Sequence, residues 1–139
     1  MFNSPTTCSL PDEMTANPVP LVLVVESDKV QRDLIQLCLQ RIGCEVISTR
    51  NIGQISTIIS KDHPSLLILD TFLPGSSGLE VINELNQKKL LKHTLVLLIS
   101  AFGFSDIIQK AKDAGVQEFL MKPLDIEEFA TRVKLMLKI

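Results

Sequence analysis

The stretch LLILDTFLPGSSG, residues 66–78, decides the fold because it runs a buried segment straight into an acid. Its four apolar residues at 66–69 are too few for an average helix and suit a strand that is buried on both faces. Asp70 follows at once, and a turn rich in Pro, Gly and Ser comes soon after. The stretch therefore predicts an interior strand that carries a carboxylate to its end.

Four further apolar runs along the chain are also short enough to be strands. They lie at 21–25, 44–49, 94–100 and 118–121. Apolar residues between and after these runs recur at helical spacing. The five helical stripes are Val30, Leu34, Leu37, Cys38 and Ile42; Ile52, Ile55, Ile58 and Ile59; Leu79, Ile82, Leu85 and Leu90; Ile107, Ile108 and Ala111; and Ile126, Phe129, Val133, Leu135, Met136 and Leu137.

This alternation of strand and helix predicts an α/β fold. Short links between the segments favour a parallel sheet with right-handed crossovers and helices on both faces. Gly43 and Gly115 follow the first and fourth stripes, where helices commonly end. Asp125 is a suitable N-cap for the last helix.

Length and composition set the limits of the domain. The 139 residues suggest one domain at 20–139, after a segment 1–19 rich in Pro, Ser, Thr and Asn that predicts a disordered tail or linker. A net charge of −2 without a basic stripe argues against direct binding of nucleic acid. No apolar run approaches the ~20 residues of a membrane span. Three cysteines without metal spacing predict reduced thiols and a cytoplasmic location.

Polar residues cluster where the predicted strands end, which is where open parallel sheets bind their ligands. These residues are Glu26, Ser27 and Asp28 after strand 1, Asp70 at the end of strand 3, Ser100 at the end of strand 4, and Lys122 after strand 5. Two carboxylates such as Glu26 and Asp70 can hold Mg²⁺. A carboxylate can also attack phosphorus and form an acyl phosphate, with Lys122 neutralising charge and Ser100 donating a hydrogen bond.

In these features the sequence resembles the receiver domain of two-component response regulators. The resemblance covers residues 20–139 and lies in VVESD (24–28), LLILDTFLPGSSGLEVI (66–82), LLISA (97–101) and FLMKPLDIEEF (119–129). Each segment alone is a weak signal, but their order and spacing together are specific. The resemblance implies a doubly wound, flavodoxin-like α/β fold with five parallel strands in the order 2-1-3-4-5.

The resemblance also implies roles for individual residues. Asp70 is the expected phosphoacceptor, with Mg²⁺ held by Glu26, Asp70 and the backbone carbonyl of Phe72. Ser100 is the expected switch hydroxyl and Phe119 the aromatic switch residue. Lys122 is expected to pair with the phosphoryl group, next to a cis bond to Pro123.

One position departs from the family pattern. Ser27 stands where a second acid is usually a direct metal ligand, so Mg²⁺ is expected to bind weakly. Asp28 either caps the first helix or reaches the metal through water. One alternative follows from this position: a pseudo-receiver that binds partners without phosphorylation. A separate alternative, ranked lower, is a small phosphate-ester hydrolase. The hydrolase lacks the expected acid two positions after Asp70, because Phe72 stands there.

The resemblance further implies how the domain works in a phosphorelay. Its donor would be a sensor histidine kinase or a histidine phosphotransfer protein, and its only reactions would be its own phosphorylation and dephosphorylation. Because no further domain follows the fifth helix in this sequence, we expect a stand-alone receiver that contacts an unknown target protein, unless the chain is part of a longer one. A homodimer through helix 4, strand 5 and helix 5 stays open.

Overall fold

The computed structural model describes residues 19–139 and contains the five predicted strands and five predicted helices in alternation. The strands are β1 (Leu21–Val25), β2 (Glu45–Thr49), β3 (Leu66–Asp70), β4 (Leu95–Ser100) and β5 (Glu118–Met121); the helices are α1 (Lys29–Arg41), α2 (Ile55–Asp62), α3 (Gly78–Gln87), α4 (Ser105–Asp113) and α5 (Ile126–Leu137). The predicted tail at 1–19 lies outside the described residues except for its last residue.

All five strands are parallel and lie in the order β2-β1-β3-β4-β5, as predicted. Two short elements were not predicted. A 3₁₀ turn at Ile52–Gln54 precedes α2, and a small hairpin that pairs Phe72–Leu73 with Ser76–Ser77 follows β3. The hairpin contains the predicted turn at Pro74 and Gly75, and Gly75 has a positive φ of 81°, which favours glycine.

The core consists of two apolar layers, one on each face of the sheet. Successive strand residues point to opposite faces, so Ile68 packs in the layer beneath α1 and α5, and Leu67 and Leu69 pack in the layer beneath α2, α3 and α4. Phe129 of α5 is fully buried in the first layer. Both faces of the sheet are therefore covered, which explains why the strands are continuous apolar runs.

The predicted apolar stripe of α1 is only partly buried. Ile35, Cys38 and Leu39 are buried, whereas Leu34 is exposed and Val30 is 76% exposed. Leu37 is exposed as well. The sequence offers apolar residues at helical spacing on two adjacent sides of this helix, and only packing against the sheet selects one of them.

Two smaller predictions also need correction. Leu135, placed in the buried stripe of α5, is largely exposed, because it lies two residues beyond the buried Val133 and so on another side of the helix. Leu90, placed in the third stripe, follows α3, which ends at Gln87. The helix stops at Gly43 and Gly115 are confirmed, with φ of 97° and 88°.

Helix starts and cysteines agree with the predictions. Asp125 caps α5 by accepting hydrogen bonds from the backbone N–H groups of Glu127 and Glu128. Cys38 and Cys44 are free and buried, whereas Cys8 lies outside the described residues. In the part of the chain from residue 19 onward, no helix has the length and apolar character needed to cross a membrane.

Candidate functional site

Four parallel strands bring the predicted site residues to one edge of the sheet. Glu26 follows β1, Asp70 and Ser100 end β3 and β4, and Lys122 follows β5. Glu26 is 2% exposed, Asp70 5% and Ser100 0%. Charged side chains this deeply buried normally have a partner. The polar residues at this edge therefore form a buried cluster rather than a patch of solvent-exposed side chains.

Lys122 joins the two buried carboxylates. Its Nζ contacts Asp70 Oδ2 and lies 3.1 Å from Glu26 Oε1. The backbone N–H of Phe72 donates to Asp70 Oδ1 over 2.9 Å, and that of Asp28 donates to Glu26 Oε2 over 3.1 Å. Within the described residues Glu26 Oε1 accepts no hydrogen bond, although it is buried. One carboxylate oxygen is thus left with an ion-pair contact alone.

The electrostatics of the cluster favour an added cation. Burial is the main cause that raises the pKa of Glu26, and the neighbouring Asp70 raises it further, against the lowering effects of the Asp28 N–H and Lys122. Burial alone would lower the pKa of Lys122, but its contacts with Asp70 and Glu26 outweigh burial and raise it. Lys122 therefore stays charged, and one ammonium group faces two carboxylates.

The oxygen donors at this edge fit Mg²⁺, but only two negatively charged side chains contribute. Glu26 and Asp70 supply two carboxylates, and Mg²⁺ commonly binds through one or two carboxylates with waters and a phosphate. From residue 19 to residue 139, no three His, Cys, Asp or Glu side chains are placed to hold a metal together. Ser27 is half-buried and Asp28 is exposed. Asp28 caps α1 by accepting the N–H of Gln31 at 2.9 Å.

The Ser100 hydroxyl makes its hydrogen bonds with residues outside the acid cluster. Its Oγ accepts from Thr71 Oγ1 at 2.8 Å and from the Phe102 N–H at 3.0 Å, and it donates to the Phe102 carbonyl at 2.8 Å. Lys122 is tied to the same strand end, because its backbone N–H donates to the Ser100 carbonyl over 2.7 Å. The hydroxyl thus shares the edge with Asp70 and is held by Thr71 and Phe102.

Three phenyl rings form an exposed aromatic cluster beside Asp70. The rings of Phe72 and Phe102 meet edge to face with centroids 5.2 Å apart, and those of Phe102 and Phe104 stack at 5.9 Å. Phe72 and Phe104 are each more than 60% exposed. Exposure of apolar rings to water is unfavourable, and contiguous exposed apolar patches commonly mark binding or contact surfaces.

Phe119, the predicted aromatic switch, lies apart from this cluster. It is half-buried against the layer beneath α4 and lines a groove of about 310 Å³ with Ile108, Ala111 and Met121. Its switching role stays a prediction. The expected cis bond between Lys122 and Pro123 is present.

A larger cavity lies at the opposite end of the sheet. It measures about 780 Å³ and is lined by the exposed side chains of His63 and His93 among others. None of the residues with a predicted role lines it. The larger cavity and the buried charged residues therefore lie at opposite ends of the sheet. The buried ionic cluster at the carboxyl edge is the candidate site.

Sequence reasoning missed two residues at this site. Thr71 has no predicted role, although its hydroxyl contacts Ser100, and Phe104 has none, although its ring stacks on that of Phe102. The register that pairs Asp70 with Ile99 places Thr71 beside Ser100. The available signal for Thr71 was a pair of hydroxyl residues at two adjacent strand ends, Thr71 directly after β3 and Ser100 as the last residue of β4.

Together, the fold and the site define a class: a doubly wound α/β domain with a buried Asp, Glu and Lys at the carboxyl edge of its sheet. A family model described as the response regulator receiver domain matches residues 22–134. The chain belongs to this family, the receivers of two-component signal transduction.

Individual relatives agree with this assignment. The chain is 28% identical over 113 residues to the polar-differentiation response regulator DivK of Brucella ovis, covering 81% of this chain and 92% of DivK. It is 27% identical over 117 residues to the phosphate regulon transcriptional regulatory protein PhoB of Pseudomonas aeruginosa, covering 84% of this chain and 51% of PhoB. The match thus spans about half the length of PhoB.

Solved structures show the same fold. A CheY-like response regulator receiver domain protein from Methanospirillum hungatei superposes with a TM-score of 0.79 at 21% identity, over 87% of this chain and 95% of that chain. A response regulator from Thermotoga maritima superposes with a TM-score of 0.77 at 24% identity, over 88% of this chain and all of that chain. These likenesses establish the doubly wound architecture.

Proposed function

We propose that this chain is a phosphorylation-controlled receiver in a phosphorelay and that Asp70 is its phosphoacceptor. The observation that carries the proposal is the contact of one ammonium group, on Lys122, with two buried carboxylates, Asp70 and Glu26. A buried carboxylate held by Lys122 and by the Phe72 N–H is fixed in position for attack on phosphorus.

The donor class is a phosphohistidine of a sensor kinase or of a histidine phosphotransfer protein. An Asp70 oxygen forms a bond to phosphorus, the bond between phosphorus and the imidazole nitrogen breaks, and the histidine leaves with its electron pair and takes up a proton. Water later attacks the acyl phosphate, which restores Asp70 and releases inorganic phosphate. These are changes of the domain itself, and we expect no turnover of free phosphate esters.

Glu26, Asp70 and the Phe72 carbonyl are the residues that would hold Mg²⁺. When bound, the ion neutralises charge on the phosphoryl oxygens. Lys122 neutralises the same oxygens from its place beside Asp70, and Ser100 closes as a hydrogen-bond donor. Asp28 adds at most a contact through water, because its carboxylate already caps α1. Affinity for Mg²⁺ is expected to be low, since Ser27 carries no charge.

The output is a change in a protein-binding face. An acyl phosphate adds about two negative charges at the strand edge, and a domain with two conformations responds by a shift in their populations. We propose that the shift reaches Phe119 and the face formed by α4, β5 and α5, which binds a target protein or a second copy. A cytoplasmic setting suits the two buried free thiols, Cys38 and Cys44.

Phosphoryl uptake tests this proposal. The chain is incubated with phosphoramidate or acetyl phosphate, with and without Mg²⁺, and its intact mass is measured beside Asp70→Asn. We expect one phosphoryl adduct that requires both Mg²⁺ and Asp70.

The alternative is a pseudo-receiver that binds its partner unmodified, and one observation favours it: no third acid stands with Glu26 and Asp70 in the described chain. A folded protein that gains no adduct, even as Ser27→Asp, would support this alternative and contradict phosphorylation control.

A further inference from the structure

Thr71 is a buried hydroxyl residue next to the proposed phosphoacceptor, and its position is fixed from both sides. Its backbone N–H donates to the Ile99 carbonyl over 2.9 Å, and its carbonyl accepts the N–H of Gly78 at 2.9 Å. A Cβ on Gly78 would lie 2.5 Å from the Asp70 carbonyl oxygen, so the backbone is closely packed here. The Thr71 hydroxyl is therefore presented to Ser100 by a rigid frame.

The Ser100 hydroxyl is saturated in this arrangement. A serine hydroxyl has one proton to donate and two lone pairs to accept with. The proton goes to the Phe102 carbonyl, one lone pair accepts the Thr71 hydroxyl, and the other accepts the Phe102 N–H. Ser100 is fully buried, so each of these bonds is costly to lose without a replacement.

We propose that Thr71 is a positioning residue that holds the Ser100 hydroxyl in its resting orientation and thereby opposes capture of a phosphoryl group. This inference rests on the proposed function, in which Ser100 donates to the phosphoryl oxygens. To do so, Ser100 must turn its Oγ away from Thr71 and withdraw its proton from the Phe102 carbonyl. The buried Thr71 hydroxyl then loses its acceptor, which makes the active arrangement less favourable.

The same contacts connect Ser100 to the aromatic cluster. Phe102 is bound to Ser100 through both its N–H and its carbonyl, and its ring touches Phe72 and Phe104. When the Ser100 hydroxyl turns away, Phe102 loses both of these hydrogen bonds. Release of Ser100 from Phe102 therefore also loosens the exposed rings beside Asp70.

The first experiment uses the unphosphorylated chain. Thr71→Val removes the hydroxyl and keeps the shape of the side chain, and Thr71→Ser keeps the hydroxyl. Thr94→Val is the matched control, because Thr94 is equally buried and donates one hydrogen bond, to the Pro64 carbonyl at 2.8 Å, at the far end of β4. Amide hydrogen exchange at Phe102 is followed by NMR, with the melting temperature as a measure of general stability.

We expect the amide hydrogen of Phe102 to exchange roughly fivefold faster in Thr71→Val than in the wild type. A ratio of this size corresponds to the loss of one net hydrogen bond. Thr71→Ser and Thr94→Val should show the wild-type rate of amide exchange at Phe102, even if their melting temperatures differ from that of the wild type. Equal exchange at Phe102 in Thr71→Val and wild type would overturn the proposed hold on Ser100.

The second experiment measures capture directly with beryllofluoride and Mg²⁺, a mimic of the phosphoryl group. Thr71→Val should bind it about fivefold more tightly than wild type, because the active arrangement no longer leaves a buried donor unsatisfied. Unchanged or weaker binding would overturn the proposed opposition to capture. A wild-type chain that takes up neither beryllofluoride nor a phosphoryl group contradicts the proposed function, and exchange at Phe102 then still decides whether Thr71 holds Ser100.

Discussion

At the residue scale, we expect Ser27 to limit how strongly the site attracts a cation. Glu26 and Asp70 together carry two negative charges, and Lys122 offsets one of them. A further carboxylate after β1 would add charge at the position where a metal ligand is expected. We therefore expect the affinity for Mg²⁺ to be the property most sensitive to this single residue.

We predict that Ser27→Asp binds Mg²⁺ roughly tenfold more tightly than the wild type, since added ligand charge strengthens binding of a hard cation. Isothermal calorimetry measures the two dissociation constants. Ser65→Asp is the matched control, because Ser65 is also half-buried but precedes β3 at the other end of the sheet. Equal affinities of Ser27→Asp and wild type would show that residue 27 does not face the metal.

The exposed ring of Phe72 is expected to shield the acceptor from small molecules. We predict that Phe72→Ala takes up a phosphoryl group from acetyl phosphate faster and also loses it faster to water, because the ring next to Asp70 is removed. Time courses of intact mass give both rates. Phe104→Ala, at the far side of the aromatic cluster, should change them less; equal effects of both variants would contradict local shielding by Phe72.

The acid cluster itself was predictable from the sequence, and the role of Thr71 was not. Asp70, Glu26 and Lys122 each lie at a strand end, and the rule for parallel sheets brings strand ends together without further information. The partner of the Thr71 hydroxyl depends on the register between β3 and β4 and on the local path of the chain at Phe102. Spacing along the sequence shows that the two hydroxyls lie at adjacent strand ends, but it does not show that they are bonded to each other.

At the scale of the element, the apolar periodicity of α1 predicts the helix but does not predict which side of the helix is buried. Leu34 and Leu37 follow the spacing of one apolar side, and Ile35 and Leu39 follow that of the neighbouring side. Both patterns predict the same helix over the same residues. Only the sheet beneath the helix decides that Ile35 and Leu39 are buried.

A pair of truncations tests this assignment. We predict that Leu39→Ala lowers the free energy of unfolding by about 2–5 kcal/mol, as expected for a buried leucine. Leu34→Ala removes the same atoms from an exposed side of the same helix and should change stability by no more than about 0.5 kcal/mol. Urea unfolding measures both values. Similar losses in the two variants would contradict the observed orientation of α1.

At the scale of the whole molecule, two apolar layers hold the sheet between its helices. Two cysteine thiols lie in one of these layers, so their reactivity measures how well that layer is packed. Cys38 on α1 and Cys44 before β2 are buried in the layer beneath α1 and α5. Burial raises the pKa of both thiols. As pH rises past about 8.5, unfolded thiols ionise first. The unfolded state then binds fewer protons than the native state, so stability falls with rising pH in this range.

We predict that iodoacetamide modifies Cys38 and Cys44 far more slowly in the native chain than in urea, since the native thiolate fraction and access are both low. The measurement is mass spectrometry of a Cys8→Ser variant at pH 8 and pH 9, so that only these two thiols react. The same rate with and without urea would contradict burial of the thiols.

The position of the phosphoryl group tests the central claim most directly. The chain is treated with phosphoramidate and Mg²⁺, the acyl phosphate is reduced with borohydride, and the modified residue is located by peptide mass mapping, beside a receiver known to be phosphorylated. The account predicts one reduced residue, at Asp70, and none when Mg²⁺ is omitted. Modification at a different residue, or none while the reference receiver is labelled, would contradict it.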